Sequence, residues 1–294
     1  MDLSVIVSTL NGRERLRSCL DALTTHLPAD VEIVVVNGPS SDGTTGAVRE
    51  RADVDVLVEI SERNRNVSRN AGIEVATGEV IALVGDTSLV TDSWYDAVET
   101  ATEAGTDVIT GPTESDPPAP RQSRTARGRS VRGFDGDNVA FCRPVLEELD
   151  GFDETLPVDG TRDVAYRLEA LERSVIWNPR MAVREVVETD GGSPAGPGER
   201  YRARAYCLAK NYGPRPFVLG RPLWRAVRDG AGRTRAVLGG EETPTGWLGG
   251  GVSVATSTLC GLKTGLNARY REGRNPAGLS SRHDRAVQVY DRRE

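Results

Sequence analysis

Aromatic residues make up only 5% of this 294-residue chain, and histidine occurs twice, at His26 and His283. Four cysteines, Cys19, Cys142, Cys207 and Cys260, lie far apart with no CxxC pair. That spacing, with so little histidine, excludes a structural zinc site, and the cysteines read as reduced, mostly buried thiols. Positive charge is not in excess: 37 Lys and Arg stand against 43 Asp and Glu, for a net charge of −6. A negative chain poor in aromatics is no dedicated nucleic-acid binder, so no nucleic-acid partner is expected. The opening MDLSVIVSTLNG has no basic n-region and too short an apolar run for a signal peptide, which points to a cytoplasmic protein. A G-x-S-x-G nucleophile elbow is also missing, so Ser/His/Asp catalysis is set aside, and His283 and Asp284 read as exposed tail residues.

No long hydrophobic run is present either. The uncharged stretch from Trp247 to Leu262 is interrupted by Gly249–Gly251 and Gly261 and falls short of the ~20 apolar residues that span a bilayer. It reads as docked on the body of the protein. Peripheral contact with a membrane surface is the second reading, because Trp224 and Trp247 have Arg221, Arg225 and Arg228 nearby.

What the chain does have is the composition of a globular protein, 38% hydrophobic and 27% charged, and the length of one large or two modest domains. Strand and helix patterns alternate. Leu3–Ser8, Val31–Val36, Val54–Ile60, Val80–Val84 and Val108–Thr110 read as strands. Between them fall a helix marked by Leu16, Leu20 and Leu23, a second over Val67–Ala76, and a third over Asp92–Ala104 capped by Thr91 or Asp92. Such alternation predicts βαβ units and a mostly parallel sheet flanked by helices. Thr113–Gly133, rich in Pro, Ser and Arg, reads as a long mobile loop. A second block follows, with strands at Val139–Cys142 and Val175–Trp177, helices at Pro144–Leu149 and Asp163–Leu171, and a helix near Arg200–Tyr212. The α/β domain is expected over residues 1–213, with a helical C-terminal extension over 214–294.

In open parallel sheets ligands bind beyond the carboxyl ends of the strands. After the first strand comes Ser8-Thr9-Leu10-Asn11-Gly12, and after the second Asn37-Gly38-Pro39-Ser40-Ser41-Asp42-Gly43-Thr44. Turns of this kind offer backbone N–H groups and short hydroxyls to anionic or ribose-like ligands. Ser68-Arg69-Asn70-Ala71-Gly72 lies in the helix before the fourth strand, and Gly85-Asp86-Thr87-Ser88 follows that strand. A carboxylate there is placed to meet a metal-bound diphosphate.

The order of these motifs resembles the inverting family 2 nucleotide-sugar glycosyltransferases of the GT-A fold. The matching text is SVIVSTLNGRERLRSCLDAL, VVVNGPSSDGT, SRNAGIEVATGEVIALVGDTS, GDNVAFCRPVLEELDGFDE and DGTRDVAYRLEALERSVIWNP, together spanning about residues 2–185. The resemblance implies a nucleotide-sugar donor and a glycan or lipid-linked acceptor. It implies that Thr9–Asn11 and Asn37 embrace the nucleoside and that Arg69 lies near the donor phosphates. Asp86 would touch the ribose, a divalent metal (Mg or Mn), or both. Gly136–Asn138 would floor the sugar pocket, and Phe152–Glu154 would help form the acceptor side.

Three positions depart from the family pattern. Asn37 replaces an aspartate, the metal triplet reads Gly85-Asp86-Thr87, and the catalytic stretch reads Gly160-Thr161-Arg162-Asp163, with Thr161 where the base is expected. A threonine hydroxyl is no general base near neutral pH. Asp163 and Asp159 are the two substitutes. Residues two apart on a helix face different ways, so Asp163 serves only if the segment is not helical there; otherwise it caps the helix. An alternative follows: a catalytically inactive module that still binds nucleotide sugars. A nucleotidyltransferase fits less well, because the Gly- and Arg-rich opening loop is missing.

Several features keep two readings. Arg121, Arg124, Arg127, Arg129 and Arg132 either clamp a diphosphate or a phosphorylated lipid, or form a solvated segment. Trp94 and Tyr95 either line an acceptor groove or pack on the sheet. Arg167 is expected to pair with a local carboxylate.

Overall fold

The computed structural model describes residues 1–114, 123–126, 129–132, 134–186, 196–216, 218, 220, 244–271 and 275–293. In chain order the elements begin β1 (Leu3–Thr9), α1 (Arg13–His26), β2 (Glu32–Asn37), α2 (Thr44–Arg49), β3 (Val56–Ile60) and α3 (Arg65–Val75). They continue β4 (Val80–Gly85), β5 (Ser88–Val90), α4 (Trp94–Glu103), β6 (Val108–Thr110), β7 (Thr113–Glu114), β8 (Ser123–Ala126), β9 (Arg129–Arg132) and β10 (Asn138–Cys142). The rest are α5 (Arg143–Leu149), α6 (Gly160–Ala170), β11 (Val175–Trp177), β12 (Val183–Glu185), α7 (Pro197–Tyr212), α8 (Pro244–Arg271) and β13 (Ala286–Asp291).

The described residues form an eight-stranded sheet in the order β11-β6-β10-β4-β1-β2-β3-β13. Its centre, β4-β1-β2-β3, is parallel; β10 enters antiparallel between β4 and β6. The mostly parallel α/β fold of the GT-A type is therefore present. β1, β2 and β4 are near-continuous runs of Val, Ile and Leu because both faces are covered. One face packs Leu16, Leu20 and Leu23 of α1 and Trp94 of α4; the other packs Val67, Ala71 and Ile73 of α3 and Leu146 of α5. Trp94 is fully buried and donates its indole N–H to Asn138 Oδ1 at 2.9 Å, which settles its role as packing on the sheet.

The boundaries differ from the sequence reading in instructive places. Ser93, not Thr91 or Asp92, is the N-cap of α4. Within Thr113–Gly133, expected as a loop, β8 and β9 pair antiparallel. Arg121, Arg127, Arg221, Trp224, Arg225 and Arg228, and the side chains of Arg124, Arg129, Arg132 and Trp247, lie outside what is described. Cys19 and Cys207 are buried, but Cys260 is exposed.

The chain divides into two compact units. One comprises Met1–Thr155, Gly160–Asp190 and Ala277–Glu294; the other Leu156–Asp159 and Gly191–Pro276. The last residues, assigned from sequence to the extension, belong with the sheet: β13 pairs antiparallel with β3. Arg285, 2% exposed, holds this tail by donating to Glu154 and to the carbonyls of Gly278 and Arg282. In the other unit α7 and α8 lie side by side. A Cβ at Gly261 would stand 2.2 Å from Arg202 O, and one at Gly265 would stand 2.5 Å from Tyr206 O, so glycine sets that close approach. Among the described residues no helix is long and apolar enough to cross a membrane.

Gly72 sets a similar approach of α3 to the sheet, where a Cβ would come 2.4 Å from Ile6 Cγ2 and 3.1 Å from Val36 Cγ2. On an open helix Gly→Ala gains about 1 kcal/mol. Here Gly72→Ala is expected to lose about 1–3 kcal/mol through overpacking, read by urea unfolding. A gain in stability would contradict this packing.

Candidate active site

The carboxyl ends of β1, β2 and β4 adjoin, with Thr9 in register with Asn37 and Ser8 in register with Gly85. The loop after β1 is stitched to the turn after β2. Asn11, in the left-handed region at φ 49°, accepts from Ser41 N, while its own N–H donates to Ser40 Oγ, both at 2.8 Å. Ser40 in turn donates to Asn37 Oδ1 at 2.7 Å, and the Asn37 amide donates to Thr45 Oγ1 at 3.0 Å. Asn37 is 1% exposed and so sits at the floor of this turn. An aspartate there would place a buried charge beside Glu59, which already accepts from Thr45; the neutral amide removes that conflict.

Asp86 begins where β4 ends, and its side chain turns toward the loop after β1. Its Oδ2 accepts from Thr9 Oγ1 at 2.8 Å and from Arg15 Nη2 at 3.2 Å. A small polar cavity of about 10 Å³ opens beside it, lined among others by Ser8, Asp86, Arg65, Arg69, Gly136 and Asp137. Asp137 is the second carboxylate here, 2.9 Å from Arg65 Nη1 and 3.0 Å from Arg69 Nη2. Arg69 also donates to Gly136 O at 3.0 Å and stacks over Phe152 with 5.1 Å to the ring centroid. Burial holds the Arg69 guanidinium below its usual pKa, with Asp137 pulling the other way. Burial raises the Asp137 carboxyl, but Arg65 and Arg69 outweigh it and hold the group below the usual carboxylate range.

Residues 4–149 match the family described as Glycosyl transferase family 2. These residues form a family 2 glycosyltransferase domain. The chain is 29% identical over 119 residues to the glycosyltransferase AglE of Haloferax volcanii, covering 38% of this chain and 39% of AglE. It is 24% identical over 187 residues to the glucosyl-dolichyl phosphate glucuronosyltransferase of the same organism, covering 56% and 60%. The match thus spans about two fifths of AglE's length. Two solved structures share the fold. The mannosyltransferase PcManGT from Pyrobaculum calidifontis, in complex with GDP-Man and Mn²⁺, aligns with TM-score 0.59 at 21% identity over 92% of this chain and 86% of that one. S. aureus TarS 1–349 with UDP-GlcNAc aligns with TM-score 0.64 at 16% identity over 93% and 92%.

Within the family 2 domain Thr9, Asn11, Asn37, Arg69 and Asp86 all fall at the carboxyl edge of the sheet. The two candidate bases are placed differently. α6 begins at Gly160, so Asp163 lies in its first turn, neither capping the helix nor able to substitute for position 161. It is fully buried and bonded to Arg167 Nε at 2.8 Å, while Arg167 also donates to the carbonyls of Leu149 and Gly151. Thr161, by contrast, packs against Gly136, one of the residues that line the cavity: a Cβ on Gly136 would lie 2.4 Å from Thr161 Cγ2. Asp159 has a left-handed backbone, φ 62°, and stands 3.7 Å from Arg204 Nε.

The carboxylates present do not fit a resident divalent ion. The frame after β4 supplies Asp86 alone, with Oδ2 already taken by a hydroxyl and a guanidinium. Asp137 faces two more guanidinium groups. Divalent ions of this kind are held by one or two carboxylates with the substrate phosphates, and here the one carboxylate of the frame is already met by a guanidinium. Among the described residues no three His, Cys, Asp or Glu side chains cluster. This is at odds with the expectation of a metal ligand at Asp86.

Sequence reasoning passed over Arg15, Arg65 and Asp137. Asp137 lies within the Gly136–Asn138 segment singled out for the sugar pocket. The segment's asparagine is instead structural: Asn138 is fully buried and its amide donates to Met181 O and Pro112 O. Arg15 gives a local signal only through Gly12, where a Cβ would lie within 2.4 Å of Asp86 Oδ2 and 2.8 Å of Arg15 Nη2.

Because the folded Asp137 pKa is the lower one, its pairing stabilises the protein above the unfolded value of about 3.9 and fades as pH falls through the folded value. Asp137→Asn is therefore expected to lower unfolding stability at pH 7 and to approach the wild type near pH 3. Urea titrations at both pH values check this; an equal deficit at both would contradict it.

Proposed function

We propose that the protein transfers a sugar from a nucleotide-diphosphate sugar to a glycan or lipid-linked acceptor, with inversion at the anomeric carbon. The observation that carries this reading is the gathering of Thr9, Asn37 and Asp86 at adjoining strand ends of a family 2 domain, with Arg69 of α3 lining the same cavity as Asp86. The Thr9–Asn11 loop and the Asn37 turn hold the nucleoside, the asparagine side chains meeting base or ribose as donors and acceptors. Arg69 faces the donor diphosphate and stabilises the charge that builds on it as the glycosidic bond breaks. Asp86 receives a ribose hydroxyl. No step of this reading runs through a metal ion.

Inversion needs one base on the face opposite the leaving diphosphate. As the acceptor oxygen bonds to the anomeric carbon, its proton passes to that base and the bonding electrons leave with the diphosphate. We assign the base to the segment leading into α6, with Asp159 ahead of Asp163, because Asp163 is committed to Arg167 in the interior. The lipid-linked acceptor draws support from the likeness to the glucosyl-dolichyl phosphate glucuronosyltransferase of Haloferax volcanii. Peripheral contact with a membrane surface accompanies that acceptor.

A second reading, a binding module without turnover, is favoured by Thr161 at the expected base position and by the buried, Arg167-bonded Asp163. Thermal shift with UDP-, GDP- and dTDP-sugars, paired with an assay for released nucleoside diphosphate, separates the two. The proposed enzyme shows a raised Tm and release with one donor. Asp86→Ala abolishes both, and Asp159→Asn lowers kcat by about 100-fold or more while binding persists. Asp163→Asn costs about 3 kcal/mol of stability by stranding Arg167. Binding without release supports the module. No shift with any donor would sink both readings.

A further inference from the structure

Arg15, Thr9 and Asp86 form a built cluster rather than a chance approach. One oxygen, Asp86 Oδ2, accepts from both Thr9 Oγ1 and Arg15 Nη2, and the same Nη2 reaches Leu10 O at 3.4 Å. Side-chain exposure is 17% for Arg15 and 10% for Asp86, so the pair is largely withdrawn from water. Gly12 leaves the room it needs: a Cβ there would collide with Asp86 Oδ2, Thr9 Oγ1 and Arg15 Nη2 at 2.4, 2.6 and 2.8 Å. Arg15 lies in the first turn of α1, so the helix fixes where its guanidinium enters.

The chemistry of this cluster is the reverse of a cation site. The one carboxylate left in the Gly85-Asp86-Thr87 frame holds a guanidinium, and the cavity's other carboxylate, Asp137, holds Arg65 and Arg69. The neighbouring Asp135 accepts from the Thr113 hydroxyl and from Asp137 N. Guanidinium groups match phosphate oxygens in a planar fork and need no third party to neutralise them.

We propose that this site binds the donor diphosphate through guanidinium groups, with Arg15 standing where a divalent cation would otherwise be, and that binding is independent of added metal. Asp86 then acts on Arg15 as a positioning residue, holding it over the loop after β1. The inference rests on the donor-site reading above and specifies how that site handles charge.

Calorimetric binding of UDP and of GDP to the full chain, in EDTA and with excess Mn²⁺, tests it. For the nucleotide that binds, the two dissociation constants are expected to agree within about threefold. Arg15→Ala is expected to weaken binding in EDTA by about tenfold or more, the loss of a charge-assisted contact. Mn²⁺ should then restore part of the loss, because Asp86 is released to meet it. Arg15→Lys, which keeps charge without the fork, should fall between. Wild-type binding that disappears in EDTA and returns with Mn²⁺ would overturn the inference and leave the donor-site reading standing. So would an Arg15→Ala protein that binds like wild type in EDTA. Absence of binding in either buffer overturns both. The wild-type comparison decides the metal question even if a variant fails to fold.

Discussion

An ionised carboxylate taken out of water costs several kcal/mol unless charge and hydrogen bonds meet it where it sits. Asp86 is 7% exposed at the end of the central strand β4, and Asp163 is fully buried on the opposite layer. Both are compensated by arginine, Asp86 by Arg15 and Asp163 by Arg167, and the same solution recurs at Asp137 and at Glu154. These pairs tie α1 to β4, α3 to the start of β10, and the C-terminal tail to the loop after α5. Of these pairs, those of Asp86 and Asp137 place carboxylates that line the cavity at the carboxyl ends of the strands.

The same pairing separates two carboxylates that look interchangeable on paper. Asp163 stands near the expected base position, yet its partner and its burial make it part of the scaffold. Asp86 is paired too, but its partner comes from α1 and its carboxylate lines a cavity. Asn64, Asn66 and Asn70 extend the theme in neutral form. They donate to the backbone carbonyls of Glu154, Asp153 and Phe152, so α3 holds the Phe152–Glu154 loop without adding charge.

Much of this was legible in the sequence because its causes are local. Apolar runs of five to seven residues announced β1 to β4, and the polar turns after β1 and β2 marked the edge where ligands bind. The site's lattice was not legible. Arg15 and Asp86 are 71 residues apart, Arg69 and Asp137 are 68 apart, and Arg285 and Glu154 are 131 apart. Spacing carries no trace of such contacts. The return of the tail to the sheet was missed for the same reason: β13 is an edge strand with Val287 and Val289 exposed, so no buried run betrays it. The start of α6 differs too: the sequence pattern begins it at Asp163, whereas the helix starts at Gly160 and carries Asp163 inward.

The central claim is that the crevice at the carboxyl ends of β1, β2 and β4 receives the nucleotide. A crystal structure with a bound nucleoside diphosphate tests it most directly. The account predicts the diphosphate beside Arg69 and Asp86, with the nucleoside against the Thr9–Asn11 loop and the Asn37 turn. A nucleotide seated instead in the groove between α1 and α2, near Arg13, Arg17 and Arg51, would contradict it.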